Sequence, residues 1–279
     1  MRDLKNLFFH KIGGLVVFNT DLILISKFVS LEIVGIYASY QMIINLLVKG
    51  ITIISSVLKP KIGKFIVEND KEEVFLYYKK LDIIFIFFGI FIVYCSKRLF
   101  NNFIILWLGP KFLLSELTLN LILINLFIKY LREMIDVFKE GNGFFNDIYL
   151  PITEALINLF ASLILVYYLG LNGVIIGTII SNVLIISILR PILVFKRCFD
   201  KDIKEYVKVY GNYLILLLIS LFCLNIATKP FIRESINGWI DWIIYATTIS
   251  GITGVVLFIV FLLNKEFRNI IKVYILKKK

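Results

Sequence analysis

The sequence is poor in residues that break, crosslink or ligate. Its 279 positions include five prolines, three cysteines and one histidine. His10 has no potential partner ligand nearby in sequence, which argues against a zinc or haem centre. Cys95, Cys198 and Cys223 are far apart and show no metal-type spacing, so neither a disulfide framework nor a metal site is expected. A Ser–His–Asp set, a Gly-rich phosphate loop and a carboxylate pair with catalytic spacing are also missing. So are a low-complexity linker and any aqueous loop large enough to hold an active site. An enzyme is therefore not expected, and no cofactor is implied.

What fills the chain is apolar. Hydrophobic residues make up 59%, phenylalanine alone numbers 25, and the mean hydropathy is +0.87. A soluble domain of this size is nearer half apolar. One helical span needs about 20 mainly apolar residues, and such runs recur here. They lie at Ile12–Ser30, Ile33–Leu58, Leu81–Ser96, Leu113–Val137, Ile148–Leu169, Gly173–Phe195, Tyr210–Thr228 and Trp239–Asn264. The pattern predicts an all-α, polytopic membrane helix bundle of about eight transmembrane helices. The first run follows basic residues, as a signal peptide does, but no small-residue cleavage site comes after it. An uncleaved first span is expected. The third run has a short uninterrupted core, Ile83–Cys95, which Lys79, Lys80 and Lys97 extend by snorkelling.

The net charge is +11. On a soluble protein that would point to nucleic acid. Here the charges sit between apolar runs and report topology instead, so no nucleic-acid partner is expected. The N-terminal arm, Lys59–Lys80, Phe138–Asp147, Lys196–Val209 and the C-terminal tail hold 21 Lys and Arg. The alternate loops, Leu31–Glu32, Lys97–Phe112, Gly170–Asn172 and Lys229–Gly238, hold 5. This bias predicts a multi-pass protein with both termini cytoplasmic. If the third run did not span, every later loop would change sides and the bias would largely vanish. Residues 1–195 read as a six-helix lobe. Residues 196–279 read as a basic cytoplasmic loop, a C-terminal helix pair and a basic tail. Two pieces read as non-spanning. Lys59–Lys80 mixes charged and apolar residues and is expected to be an amphipathic surface helix. Phe103–Phe112, with Trp107 and Gly109–Pro110, is expected to form a re-entrant or interfacial half-turn.

Polar groups inside a span need a partner or a wet cavity. Asp21, beside Asn19 and Thr20, is either an ion- or proton-coupling carboxylate or a structural acid paired with a neighbouring lysine. Gln41, Asn45 and Lys49 are spaced by four and share one helical stripe. Lys49 either attracts an anionic headgroup or neutralises Asp21. Lys129, Arg132, Glu133 and Asp136 contain two i,i+4 pairs. They form either boundary charge pairs or a cationic patch lining an inward-facing cavity, where the fork of Arg132 suits phosphate. Pro151 opens the fifth run, and Glu154 and Asn158 follow on one stripe. Gly173, Gly177 and Ser181 predict a close helix–helix contact. Arg190–Pro191 is expected to anchor and break the sixth helix.

Three segments carry a family resemblance: Thr20–Leu47, Ile105–Phe112 and Glu154–Leu184. An acid precedes a VG-x-Y turn (Asp21, then Val34, Gly35 and Tyr37). A W-L-G piece precedes membrane re-entry (Trp107, Leu108, Gly109). An E…N…G…G…GT run crosses two helices (Glu154, Asn158, Gly170, Gly173, Gly177, Thr178). In this order and spacing the chain resembles the C-terminal half of bacterial polysaccharide flippases, the O-antigen and capsule transporters of the MOP exporter superfamily. The match extends over nearly the whole chain. The resemblance implies one lobe of a MATE-like transporter plus an extra C-terminal helix pair, in the bacterial cytoplasmic membrane. It implies flipping of an undecaprenyl diphosphate-linked oligosaccharide for surface polysaccharide synthesis. On that analogy Lys49, Lys129 and Arg132 contact the diphosphate, Gln41 and Asn45 line the cavity, and Asp21, Glu154 and Asn158 couple or line. Family members usually have twelve to fourteen spans, so the chain is expected to be a truncated product or to need a partner lobe, an N-terminal half-transporter or a second copy. Two other classes stay open. One is a membrane enzyme of the same pathway, an O-antigen polymerase or acyltransferase. The other is a MATE-like small-molecule exporter.

Overall fold

A computed structural model of the chain describes residues 20–144, 147, 149–233 and 235–276, the last three by backbone alone. His10, Asn19 and most of the first apolar run lie outside them. Among the described residues every regular element is helical. Residues 20–28 form the first helical stretch. Then come α1 (Leu31–Glu68), α2 (Lys71–Leu108), α3 (Glu116–Gly141), α4 (Tyr149–Leu169) and α5 (Leu171–Cys198). The remaining helices are α6 (Ile203–Thr228), α7 (Trp239–Phe261) and α8 (Lys265–Leu276).

Six of these helices, α1, α2 and α4 to α7, are long and apolar enough to cross a membrane. The chain is a multi-pass membrane protein. The surface fits that solvent: Leu156, Phe160, Ile164, Tyr167 and Tyr168 of α4 all point outward and exposed. Lipid removes the cost that water would impose on such a face. The third apolar run, short as its core is, belongs to a 38-residue helix, α2. The fourth forms α3, but Lys129, Arg132, Glu133 and Asp136 set it apart from the six.

The structure corrects three expectations. Lys59–Lys80 is not a separate surface helix. α1 runs through Pro60 to Glu68, the chain breaks at Asn69–Asp70, and the rest opens α2. A proline is tolerated where serine side chains bond nearby carbonyls. Here Ser55 and Ser56 donate to the carbonyls of Ile51 and Ile53. Phe103–Leu108 is not a re-entrant piece but the last turns of α2. The break comes at Gly109, whose φ of 94° only glycine adopts cheaply, followed by a short 3₁₀ turn at Pro110–Phe112. Pro191 does not end α5. It follows a π-helical stretch, Asn182–Leu189, in which the Arg190 N–H reaches back five residues to the Ile185 carbonyl.

The chain forms two compact units. Among the described residues, one comprises 20–71 and 114–203, the other 72–113 and 204–276. The grouping runs across the division at residue 195, because most of α2 packs with the C-terminal helices. In the first unit, α3 packs against α1 and α5, and α4 packs along α5. A β-carbon at Gly173 would overlap the Leu165 carbonyl, and one at Gly177 would overlap Ser162. The small-residue contact expected between these helices is present.

In the second unit, the Phe103 end of α2 gathers all three tryptophans of the chain. Trp107, Trp239 and Trp242 stand 5.9, 5.5 and 5.3 Å from the Phe103 ring. Midway, Tyr94 bonds Thr228 at 2.6 Å, and Arg98 bonds Asn225 at 2.7 Å. Phe267 of α8 packs on Phe87, Phe258 and Phe261. The basic tail thus includes an amphipathic helix.

Candidate functional site

The first unit has a polar seam. α3 starts at Ser115, whose Oγ accepts the Thr118 N–H as an N-cap. From there, Thr118, Asn125, Lys129, Arg132, Asp136 and Lys139 recur at spacings of seven, four and three, which keeps them on one face of the helix. The face spans about 32 Å from Thr118 to Lys139, close to the thickness of a bilayer core.

Most of its partners lie on α5. Thr118 donates to Asn172 Oδ1 at 2.7 Å. Asn125 donates to the Ile175 carbonyl at 3.4 Å and accepts from Asn182 at 3.0 Å. Arg190 holds Asp136 at 3.1 Å and Glu154 of α4 at 3.6 Å, and Arg132 adds a contact to Asp136 at 3.5 Å. Lys139 closes the seam on Asp147, at 2.7 and 2.9 Å, with both groups buried. Arg190 was expected to anchor its helix. Instead it is 6% exposed and joins three helices, because two carboxylates compensate its charge there.

Near the middle lies a smaller cluster. The Thr178 hydroxyl faces Asp21 Oδ2 at 3.1 Å and accepts from Asn158 Nδ2 at 2.9 Å. Asp21 is 6% exposed and Asn158 fully buried. Asp21 Oδ1 and Asn158 Oδ1 have no hydrogen-bond partner. The cation whose field acts on Asp21 is Lys129. Lys49 is exposed and does not pair with it. Tyr37, buried on the same helix, lies within the field of Asp21. The three-residue stripe on α1 therefore turns outward along its length: Gln41 and Asn45 are half-buried and Lys49 is exposed.

Of the expected pairs on α3, Arg132–Asp136 forms and Lys129–Glu133 does not. Glu154 and Asn158 share the stripe of α4 that faces α5, continued by Ser162, which donates to the Val174 carbonyl at 3.1 Å. Sequence reasoning missed Asn125, Asn182 and the burial of Arg190. The seven-residue recurrence on α3 was the signal for the first. It also missed Asp82, in the second unit. Asp82 is fully buried, accepts from the Tyr78 hydroxyl at 2.8 Å, and Tyr78 in turn meets Tyr210 at 3.0 Å. Its sequence signal is a single acid near the start of the third apolar run, beside Lys79 and Lys80.

Chemically, the seam is a line of charges and amides held inside an apolar bundle. Lys129 and Arg132 are its half-buried cations, and Asp21 is a buried acid with an unsatisfied oxygen. No family model matches the chain, and neither does any curated protein or solved structure.

Proposed function

We propose that the chain is one lobe of a lipid-linked oligosaccharide flippase of the MOP superfamily, with an extra C-terminal helix pair, acting in the bacterial cytoplasmic membrane. The substrate is an undecaprenyl diphosphate-linked sugar unit, made inside and moved outward. The observation that carries the reading is the seam itself. Intramembrane charges are expensive and are kept where they meet a substrate or an ion. Lys129 and Arg132 supply the cations for a diphosphate. Arg132 offers a two-pronged fork, and Gln41 and Asn45 line the approach. Asp21, with Thr178 and Asn158, is the coupling site: a carboxylate oxygen and an amide oxygen stand open beside one hydroxyl, ready for a proton or a small cation. Glu154 lines the seam through Arg190. A cavity with alternating access needs two lobes, so the working unit includes an N-terminal half-transporter or a second copy.

The test is complementation of a flippase-null strain, with and without a co-expressed N-terminal lobe. Surface polysaccharide should return when both lobes are present. Its absence in both cases rejects transport. Within the complementing pair, Thr178→Val should abolish export and Thr178→Ser should retain it, because serine keeps the hydroxyl between Asp21 and Asn158. Equal export by the two variants would remove this cluster from the mechanism.

A further inference from the structure

The second unit has an open groove of about 480 Å³ that transport leaves unused. It is lined by α6, by Lys79 of α2 and by the Leu263–Glu266 turn into α8. The α6 wall changes character along its length. Glu205, Lys208 and Asn212 come first, then Ile215, Leu216 and Ile219 on the same face. From Lys208 to Ile219 the helix rises about 16 Å, close to the hydrocarbon depth of one leaflet. A ligand that fills this groove has a polar head and an apolar tail.

The charges select the head. Three lysines and two glutamates line the groove. Glu266 is held by Lys79 at 3.4 Å and Glu205 by Lys208 at 3.4 Å. Lys265 makes no ion pair among the described residues. The groove is therefore net positive, and its exposed cations are Lys208 and Lys265. The basic face continues along α8 through Arg268 and Lys272, while Phe267 fixes the helix by its apolar side. This is the pattern of a helix at an anionic membrane surface. A free phosphate would leave the isoleucine wall unfilled, and a zwitterionic lipid would bring its ammonium group into a groove that is already net positive.

We propose that this groove binds one anionic phospholipid, with its phosphate against Lys208 and Lys265 and an acyl chain along Ile215 and Ile219. Native mass spectrometry of the full-length protein, delipidated and titrated with phosphatidylglycerol or phosphatidylcholine, tests it. One phosphatidylglycerol should be retained in preference to phosphatidylcholine. Lys208→Gln with Lys265→Gln should weaken it about thirtyfold, taking each lysine at its usual worth near an anionic lipid. Ile215→Gln should weaken it too, and Lys64→Gln on α1 should not. If the double variant fails to fold, Lys265→Gln alone, at an exposed position, is read instead. Equal retention of the two lipids overturns the proposal, as does a loss in Lys64→Gln as large as in the groove variants. Displacement by inorganic phosphate together with an unaffected Ile215→Gln makes the groove a plain anion site, and also overturns it.

Discussion

At the residue scale, the buried charges differ in what they ask of their partners. Lys139 and Asp147 are both nearly sealed from solvent and bound twice. Removing one partner strands the other. Asp147→Ala is expected to cost about 3–5 kcal/mol, while replacing both by apolar residues of similar size recovers most of that. Thermal or denaturant unfolding in a mild detergent measures both variants. If the double substitution is as unstable as the single, the pair holds structure that apolar packing cannot replace. Asp82 poses the opposite case, since its bonded partner is a hydroxyl and not a cation. Asn keeps an oxygen for Tyr78, whereas Ala removes that buried acceptor and leaves the hydroxyl with Tyr210, at a cost of about 1–3 kcal/mol. Asp82→Ala should thus unfold more readily than Asp82→Asn by about that difference. Equal stability would mean that Tyr210 alone satisfies the Tyr78 hydroxyl.

At the scale of elements, α4 and α5 lie so close that glycine is required between them. Gly177→Val forces a branched side chain into Ser162 and should destabilise the protein by at least about 2–3 kcal/mol. The same change at Gly211, which has open space around its α-carbon, should cost much less. Comparing the two unfolding curves separates crowding from helix propensity, and similar losses would refute the packing argument. This contact was legible in the sequence because small residues four apart have one common use in a bundle. The polar stripe of α4 was legible for a similar reason: Glu154 and Asn158 share a face. Helix ends were less legible. Pro191 looked like a break, yet α5 continues through it, as α1 does through Pro60. The break that does occur, at Asn69–Asp70, has neither proline nor glycine to announce it. Partner choice was also hidden. Lys49 and Lys129 are both lysines in apolar runs, and only three-dimensional packing decides which one reaches Asp21.

At the scale of the whole molecule, the topology turns on α3, which its charges set apart from the six apolar helices. Its partners decide the matter. Thr118 near its start meets Asn172 near the start of α5, Asn125 meets Asn182, and Asp136 near its end meets Arg190. The two helices therefore run parallel and side by side for nearly their full lengths. α5 is apolar enough to cross the membrane, and a helix in register with it is expected to cross as well, its charges compensated by the neighbour and not by water. Parity then follows. If α3 spans, alternate crossing predicts the turns at Asn69, Asn142 and Asp200 on one face and those at Gly109, Gly170 and Gly238 on the other. That assignment is the one the lysine and arginine bias of the sequence predicts. Single cysteines placed at these six turns in a cysteine-free background should react in two groups with a membrane-impermeant maleimide. Those at 109, 170 and 238 should label in intact cells, and those at 69, 142 and 200 only after permeabilisation. If α3 instead lay on the surface, positions 142, 170, 200 and 238 would all exchange groups while 69 and 109 stayed put, a pattern that distinguishes the two topologies without reference to any activity.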